Sequence, residues 1–172
     1  MLLTKTRASM ECATTKVATA HGLRCARACG FHSLTPIHLK MIEHVSSSHS
    51  GTQVRIMQSL PRTGKTTAVA MGALLQIDPA ERCTQSIVIC STIEQRDRTA
   101  RAVCRMLGTN REGVRVMVAT SSVAPGARCQ RRAADMMSSH VVVGCTGAIY
   151  HTLDCRPDAL DHVRFLAVHD AG

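Results

Sequence analysis

Five consecutive residues, Thr63-Gly64-Lys65-Thr66-Thr67, have the types and the order that hold phosphate. They follow an apolar run, Val54–Gln58, and open an apolar stretch with helical character, Thr66–Ile77. Backbone N–H groups at a helix start, reinforced by the helix dipole, favour an anion there. Lys65 can reach β- and γ-phosphates, and the Thr66 hydroxyl can ligate Mg²⁺. The full Gly-x-x-x-x-Gly-Lys-Ser/Thr pattern is not met, because Ser59 occupies the first glycine position. Pro61 and Arg62 stiffen and crowd a loop that normally uses small residues. The plain alternative is a strand–turn–helix joint with an incidental Gly-Lys pair.

Such a loop needs a sheet behind it. Strands are expected at Val54–Gln58, Ile87–Cys90, Val114–Ala119, Val141–Val143 and Val163–Val168. Several are continuous β-branched runs, the pattern of strands buried on both faces of a parallel sheet. Helices are expected between them. Thr66–Ile77 is apolar almost all round and should pack deep. Glu94–Leu107 should bury Ala100, Val103, Cys104 and Leu107, and Arg128–Met137 and Ala148–Leu153 are shorter. Upstream, Thr35 suits an N-cap and Pro36 a first helical turn, leading Ile37–Val45. The segment 46–51 is loop-like. The order βαβαβαβαβ predicts a parallel sheet with helices on its faces. The chain stops at Gly172 after the last strand with no helix to follow it, so the sheet is expected to be incomplete at its C-terminal end.

Composition narrows the partners. The chain has 172 residues, a formal net charge of +9 and 45% apolar residues, enough for a core. Basic balance points to nucleic acid or another polyanion. Phe31, Tyr150 and Phe165 are the only aromatics, which argues against a binder built on stacked aromatic platforms. No apolar run is long enough to span a membrane. Nine cysteines without a pairing pattern fit free thiols in a reducing compartment. Residues 1–29 read as a basic N-terminal extension, a composition that would also suit an organellar transit peptide. His21, Cys25, Cys29 and His32 have helical spacing, but small half-buried side chains explain them without zinc. Glu94 and Asp97 precede Arg98 and Arg101 by four residues, so ion pairing on a solvated face explains that stripe. Arg128, Arg131 and Arg132 form the better basic patch. No serine sits in a hydrolase-type arrangement.

Several segments, in order, resemble the motifs of the DEAD-box ATP-dependent RNA helicases. Gly30-Phe31-His32-Ser33-Leu34-Thr35-Pro36-Ile37-His38 resembles the adenine-reading Q motif, with His38 in place of its glutamine. Ser59–Thr66 resembles motif I, with Arg62 in place of its first glycine. If the backbone there needs positive φ, Arg62 bears a steric cost that glycine would not; alternatively its guanidinium would point at phosphate. Ser91-Thr92-Ile93-Glu94 resembles Pro-Thr-Arg-Glu, and Gly144-Cys145-Thr146-Gly147-Ala148 resembles Gly-Thr-Pro-Gly-Arg, each without its arginine. His169-Asp170-Ala171-Gly172 falls where Asp-Glu-Ala-Asp should be.

The resemblance implies a three-layer α/β fold of RecA type, a P-loop NTPase sheet, with residues 30–172 forming part of an N-terminal RecA-like domain. It implies an ATP site made of Phe31, His38, Ser59, Thr63, Gly64, Lys65, Thr66 and Thr67. Thr66 and Asp170 would hold Mg²⁺, with Asp170 the surviving catalytic acid. Thr92, Glu94, Thr146 and Gly147 would face RNA. His169 cannot supply the negative charge of the aspartate it replaces, so hydrolysis and unwinding are expected to be impaired or lost. A second helicase domain or a protein partner in trans would complete the unit, in the cytoplasm, nucleus or mitochondrion. The competing readings are a scaffold that binds RNA or protein without nucleotide, and a decayed fragment.

Overall fold

The computed structural model describes residues 33–46, 54–108, 113–120 and 127–169, without the side chains of 127–130 and 132. Phe31, Asp170 and the proposed zinc-type cluster lie outside the described residues. The elements, in chain order, are α1 (Pro36–Ser46), α2 (Lys65–Leu75), β1 (Ser86–Cys90), α3 (Ile93–Leu107), β2 (Val116–Ala119), α4 (Ala127–Met137), β3 (Val141–Cys145), α5 (Thr146–Cys155), a 3₁₀ turn (Pro157–Leu160) and β4 (Phe165–His169).

The four strands form one parallel sheet in the order β2-β3-β1-β4. Ser86 is in register with Val141 and Phe165, and Cys90 with Cys145 and His169. β1 and β3 sit at the centre. Their β-branched residues are buried on both faces, as continuous apolar runs require. One face packs Val88, Val143 and Phe165 against α1, α2 and α3 through Met41, Ala70, Met71, Val103 and Met106. The other packs Ile87 and Val142 against α4, α5 and the 3₁₀ turn through Met136, Ile149 and Ala159. The result is the expected three-layer α/β sandwich.

α2 is the most deeply packed helix, with Ala68, Ala70, Met71 and Ala73 fully buried. A Cβ on Gly72 would lie 2.7 Å from Cζ of Phe165 and 2.8 Å from Sδ of Met41, so glycine lets α1 and β4 close on this helix. α3 starts at Thr92, whose hydroxyl accepts from the Gln95 amide, and ends at Gly108 with φ 58°. Its buried face is Thr99, Ala100, Val103 and Met106, with Cys104 and Leu107 only half-buried.

Two expectations are corrected. Val54–Gln58 is not a strand: Val54 is 88% and Ile56 93% exposed, and the segment pairs with nothing in the sheet. Its β-branched composition favours a strand only where a neighbour supplies the ladder. The thiols are not all free either. Cys83, Cys104 and Cys145 are free, whereas Cys155 is disulfide-bonded.

Candidate phosphate-binding site

All strands run the same way, so their carboxyl ends share one edge, where open α/β sheets bind ligands. Cys90, Cys145 and His169 end their strands there in mutual register. α3 follows β1 after Ser91 and Thr92, and α5 follows β3 without a break, so both helices begin at that edge. α2 is tied at its far end, where the Ser86 hydroxyl donates to the Ala73 carbonyl at 2.7 Å. Ser86 opens β1 at the opposite edge. Eight residues of helix, about 12 Å at 1.5 Å each, return Lys65 to the carboxyl side. The fold therefore gathers Gly64–Thr67, Thr92–Glu94, Thr146–Gly147 and His169 on one side of the sheet.

The loop before α2 is closed on itself. Gly64 is the N-cap residue, left-handed at φ 96°, with no side-chain cap. The first turn of α2 holds no acid, so the uncapped amides and the dipole favour an anion. Lys65 Nζ donates to the carbonyls of Ser59 at 3.1 Å and Leu60 at 3.2 Å. The Thr63 hydroxyl donates to the Leu60 carbonyl at 2.7 Å and contacts the Ser59 hydroxyl at 2.8 Å. Arg62 has φ 63°, the left-handed conformation that its glycine counterpart would adopt without strain. Its side chain is exposed. Thr66 is half-buried and Thr67 buried.

His38 lies beneath this loop, fully buried. Its Nδ1 accepts from the Thr35 backbone N–H at 3.1 Å. That bond leaves the proton on Nε2, which donates to the Gly64 carbonyl at 3.2 Å. The Thr35 hydroxyl donates to the Thr63 carbonyl at 3.0 Å. Burial pushes the imidazole pKa below its ordinary value, and the bond to the Gly64 carbonyl offsets part of this. His38, where a capping box has glutamate or glutamine, thus makes the half of that motif that reaches back to the Thr35 N–H, while its own N–H bonds the Thr35 carbonyl. The Thr-Pro-x-His spacing carried that signal. The reach from His38 to Gly64, across 26 residues of chain, carried none.

His169 ends β4, 4% exposed, with its ring nitrogen Nδ1 against Nε2 of Gln95 in the first turn of α3. The Gln95 Oε1 in turn accepts from the Ser91 hydroxyl at 3.0 Å. Sequence spacing did not show this link across the edge. Magnesium takes hard oxygen donors in near-octahedral geometry. Here a buried imidazole already engaged by an amide stands at the strand end. Among the described residues no group of three or more His, Cys, Asp or Glu could hold a metal ion. Thr66 is half-buried on the first turn of α2, and Asp170 lies outside the described residues.

The other candidate residues are exposed. Thr92 caps α3, Glu94 pairs with Arg98 at 2.5 Å, and Thr146 and Gly147 open α5. A Cβ on Gly147 would meet nothing within 4 Å. Asp97 pairs with Arg96 at 2.8 Å rather than with the expected Arg101. Arg101, Arg105 and Arg131 are exposed, while the side chains of Arg128 and Arg132 lie outside those described.

No family model and no curated protein matches the chain. Solved structures do. A variant of Dbp5 from S. cerevisiae bound to RNA and ADP BeF3 superposes with a TM-score of 0.65 and 20% identity, over 86% of this chain and 35% of that one. Dbp5 of S. cerevisiae bound to RNA and ADP BeF3 gives a TM-score of 0.63 and 16% identity, over 88% and 44%. A variant bound to Gle1 and IP6 gives 0.65 and 19%, over 86% and 35%. The fold is RecA-like. The RecA-like chain spans less than half the length of these structures, and at such identities the likeness extends to the fold alone. No helix among the described residues is long and apolar enough to cross a membrane.

Proposed function

We propose that this chain is a DEAD-box helicase-like RecA module that binds the polyphosphate of a nucleotide at Gly64–Thr67 and RNA along the same edge, with ATP hydrolysis lost. The observation that carries the reading is the start of α2. A left-handed Gly64 presents uncapped amides, and the Lys65 ammonium lies across the loop on carbonyls it can leave for phosphate. Charge-assisted bonds to phosphate are stronger than the neutral-acceptor bonds they replace. Thr66 and Thr67 follow on the first turn of the helix. Ser59 and Thr63 hold the loop shape through their mutual hydroxyl contact.

RNA phosphates would meet the helix starts at Thr92–Glu94 and Thr146–Gly147, where exposed amides and hydroxyls position a backbone without reading sequence. The missing arginines at both places predict weak contacts. Loss of hydrolysis rests on His169, a buried imidazole where the negative charge of a carboxylate would be needed. A cytoplasmic or nuclear role and completion by a second domain in trans go with this reading. Residues 1–29 would be an extension outside the module.

The closed loop favours a second reading, a scaffold that uses no nucleotide. Titration of a fluorescent ATP analogue into the purified chain, beside Lys65→Ala, separates the two. Saturable binding that the variant loses supports the module. No binding by a chain that melts cooperatively rejects it and leaves the scaffold.

A further inference from the structure

Resting on the proposed phosphate site, we infer that this loop takes a polyphosphate without selecting the base attached to it. Base identity is read by hydrogen bonds to donors and acceptors on the base edge. Four polar side chains at the loop, Thr35, His38, Ser59 and Thr63, already use theirs on the loop. The Thr35 hydroxyl donates to the Thr63 carbonyl, and the Thr63 hydroxyl to the Leu60 carbonyl. The Ser59 hydroxyl contacts that of Thr63. His38 accepts from the Thr35 amide on one ring nitrogen and donates to the Gly64 carbonyl with the other.

The burial of His38 reinforces the point. The ring is fully enclosed, and the space a Gly64 Cβ would need is filled by its Nε2 at 2.7 Å. Turning His38 toward a base would break the cap of α1 and release the first turn of α2 together. His38 is therefore a positioning residue for the phosphate loop rather than a reader of adenine. Stacking does not restore selectivity, because every base presents a π-face. Of the described aromatics, Phe165 is buried in the core and Tyr150 lies on α5.

The test is displacement of the fluorescent ATP analogue by ATP, GTP, CTP and inorganic triphosphate. All four are expected to compete within about threefold of one another, a spread worth less than a single hydrogen bond. ATP competing about tenfold or more better than GTP and CTP would overturn the inference while leaving the phosphate site standing. Failure of all four would overturn both. His38→Ala, checked for a cooperative melt, is expected to weaken every competitor alike and leave the ATP-to-GTP ratio unchanged. A selective loss of ATP in that variant would show that His38 reads the base. The comparison of competitors on the unaltered chain decides the matter should the variant not fold.

Discussion

A methyl group on Gly64 would lie 2.7 Å from Nε2 of His38 and 3.0 Å from its Cε1. The contact joins the start of α1 to the first turn of α2, so the Gly64 loop and the helix beneath it form one unit. Gly64 is also left-handed, at φ 96°. Gly64→Ala therefore meets two costs, about 1–2 kcal/mol for the backbone and about 1 kcal/mol for displacing the histidine hydrogen bond. A loss of about 2–3 kcal/mol in denaturant unfolding is expected. Gly147→Ala is the control, since its Cβ would enter open space in a first helical turn. Equal stabilities for the two variants would contradict the packing described for Gly64.

Arg62 holds φ 63° with an exposed side chain. The strain is local, and no packing is lost when the side chain is removed. Arg62→Gly is expected to raise stability by about 0.5–1 kcal/mol, whereas Arg62→Ala, which keeps a Cβ, should change little. Parallel denaturant curves decide it. A glycine variant less stable than the alanine one would show that the guanidinium, not the backbone, matters at this position.

Gln85 is fully buried just before β1, and its amide closes the preceding turn. Its Oε1 accepts from the Asp78 N–H at 2.7 Å, and its Nε2 donates to the Asp78 carbonyl at 2.8 Å and the Glu81 carbonyl at 2.9 Å. Gln85→Leu keeps the approximate volume and strands the Asp78 N–H, while the Asp78 and Glu81 carbonyls keep the amides of Glu81 and Cys83. A cost of about 1–3 kcal/mol is expected, measured by chemical denaturation. A near-neutral result would mean that water replaces the amide.

These residues show where sequence reasoning reaches and where it stops. Helical periodicity located the helices and continuous apolar runs the four strands, because a layered core buries one face of a helix and both faces of a central strand. Local rules also placed the Thr35–Pro36 helix start and the strand-side turn before α2, whereas the positive φ at Arg62, which the backbone shows, was only one of two readings that the family resemblance left open. Val54–Gln58 failed because a strand needs a partner, and pairing is a property of distant chain. The same limit hid His38 beneath Gly64 and Gln95 beside His169. Each joins segments whose separation in sequence says nothing about their meeting. Gln85 was invisible for another reason. A lone polar residue before an apolar run resembles any loop residue until its three backbone partners are seen.

Two buried histidines make stability depend on pH. Burial lowers the pKa of His38 and of His140 from the ordinary value of 6.5, and the nearby charges of Arg115 and Arg82 push His140 the same way. The Nδ1 of His140 accepts from the Arg115 N–H at 3.0 Å, a bond that the protonated ring could not make. Below 6.5 the unfolded chain takes up protons that the folded chain refuses, so stability must fall as the pH falls. Above that value both states are neutral at these sites and the dependence vanishes. Each histidine contributes at most about 1.4 kcal/mol per pH unit within its window. Denaturant curves from about pH 8 down to about pH 5.5 should be superimposable at the alkaline end and then shift to lower midpoints, before most carboxylates begin to titrate. A midpoint constant through that range, or one that rises toward acid, would mean that neither ring is held neutral by the fold.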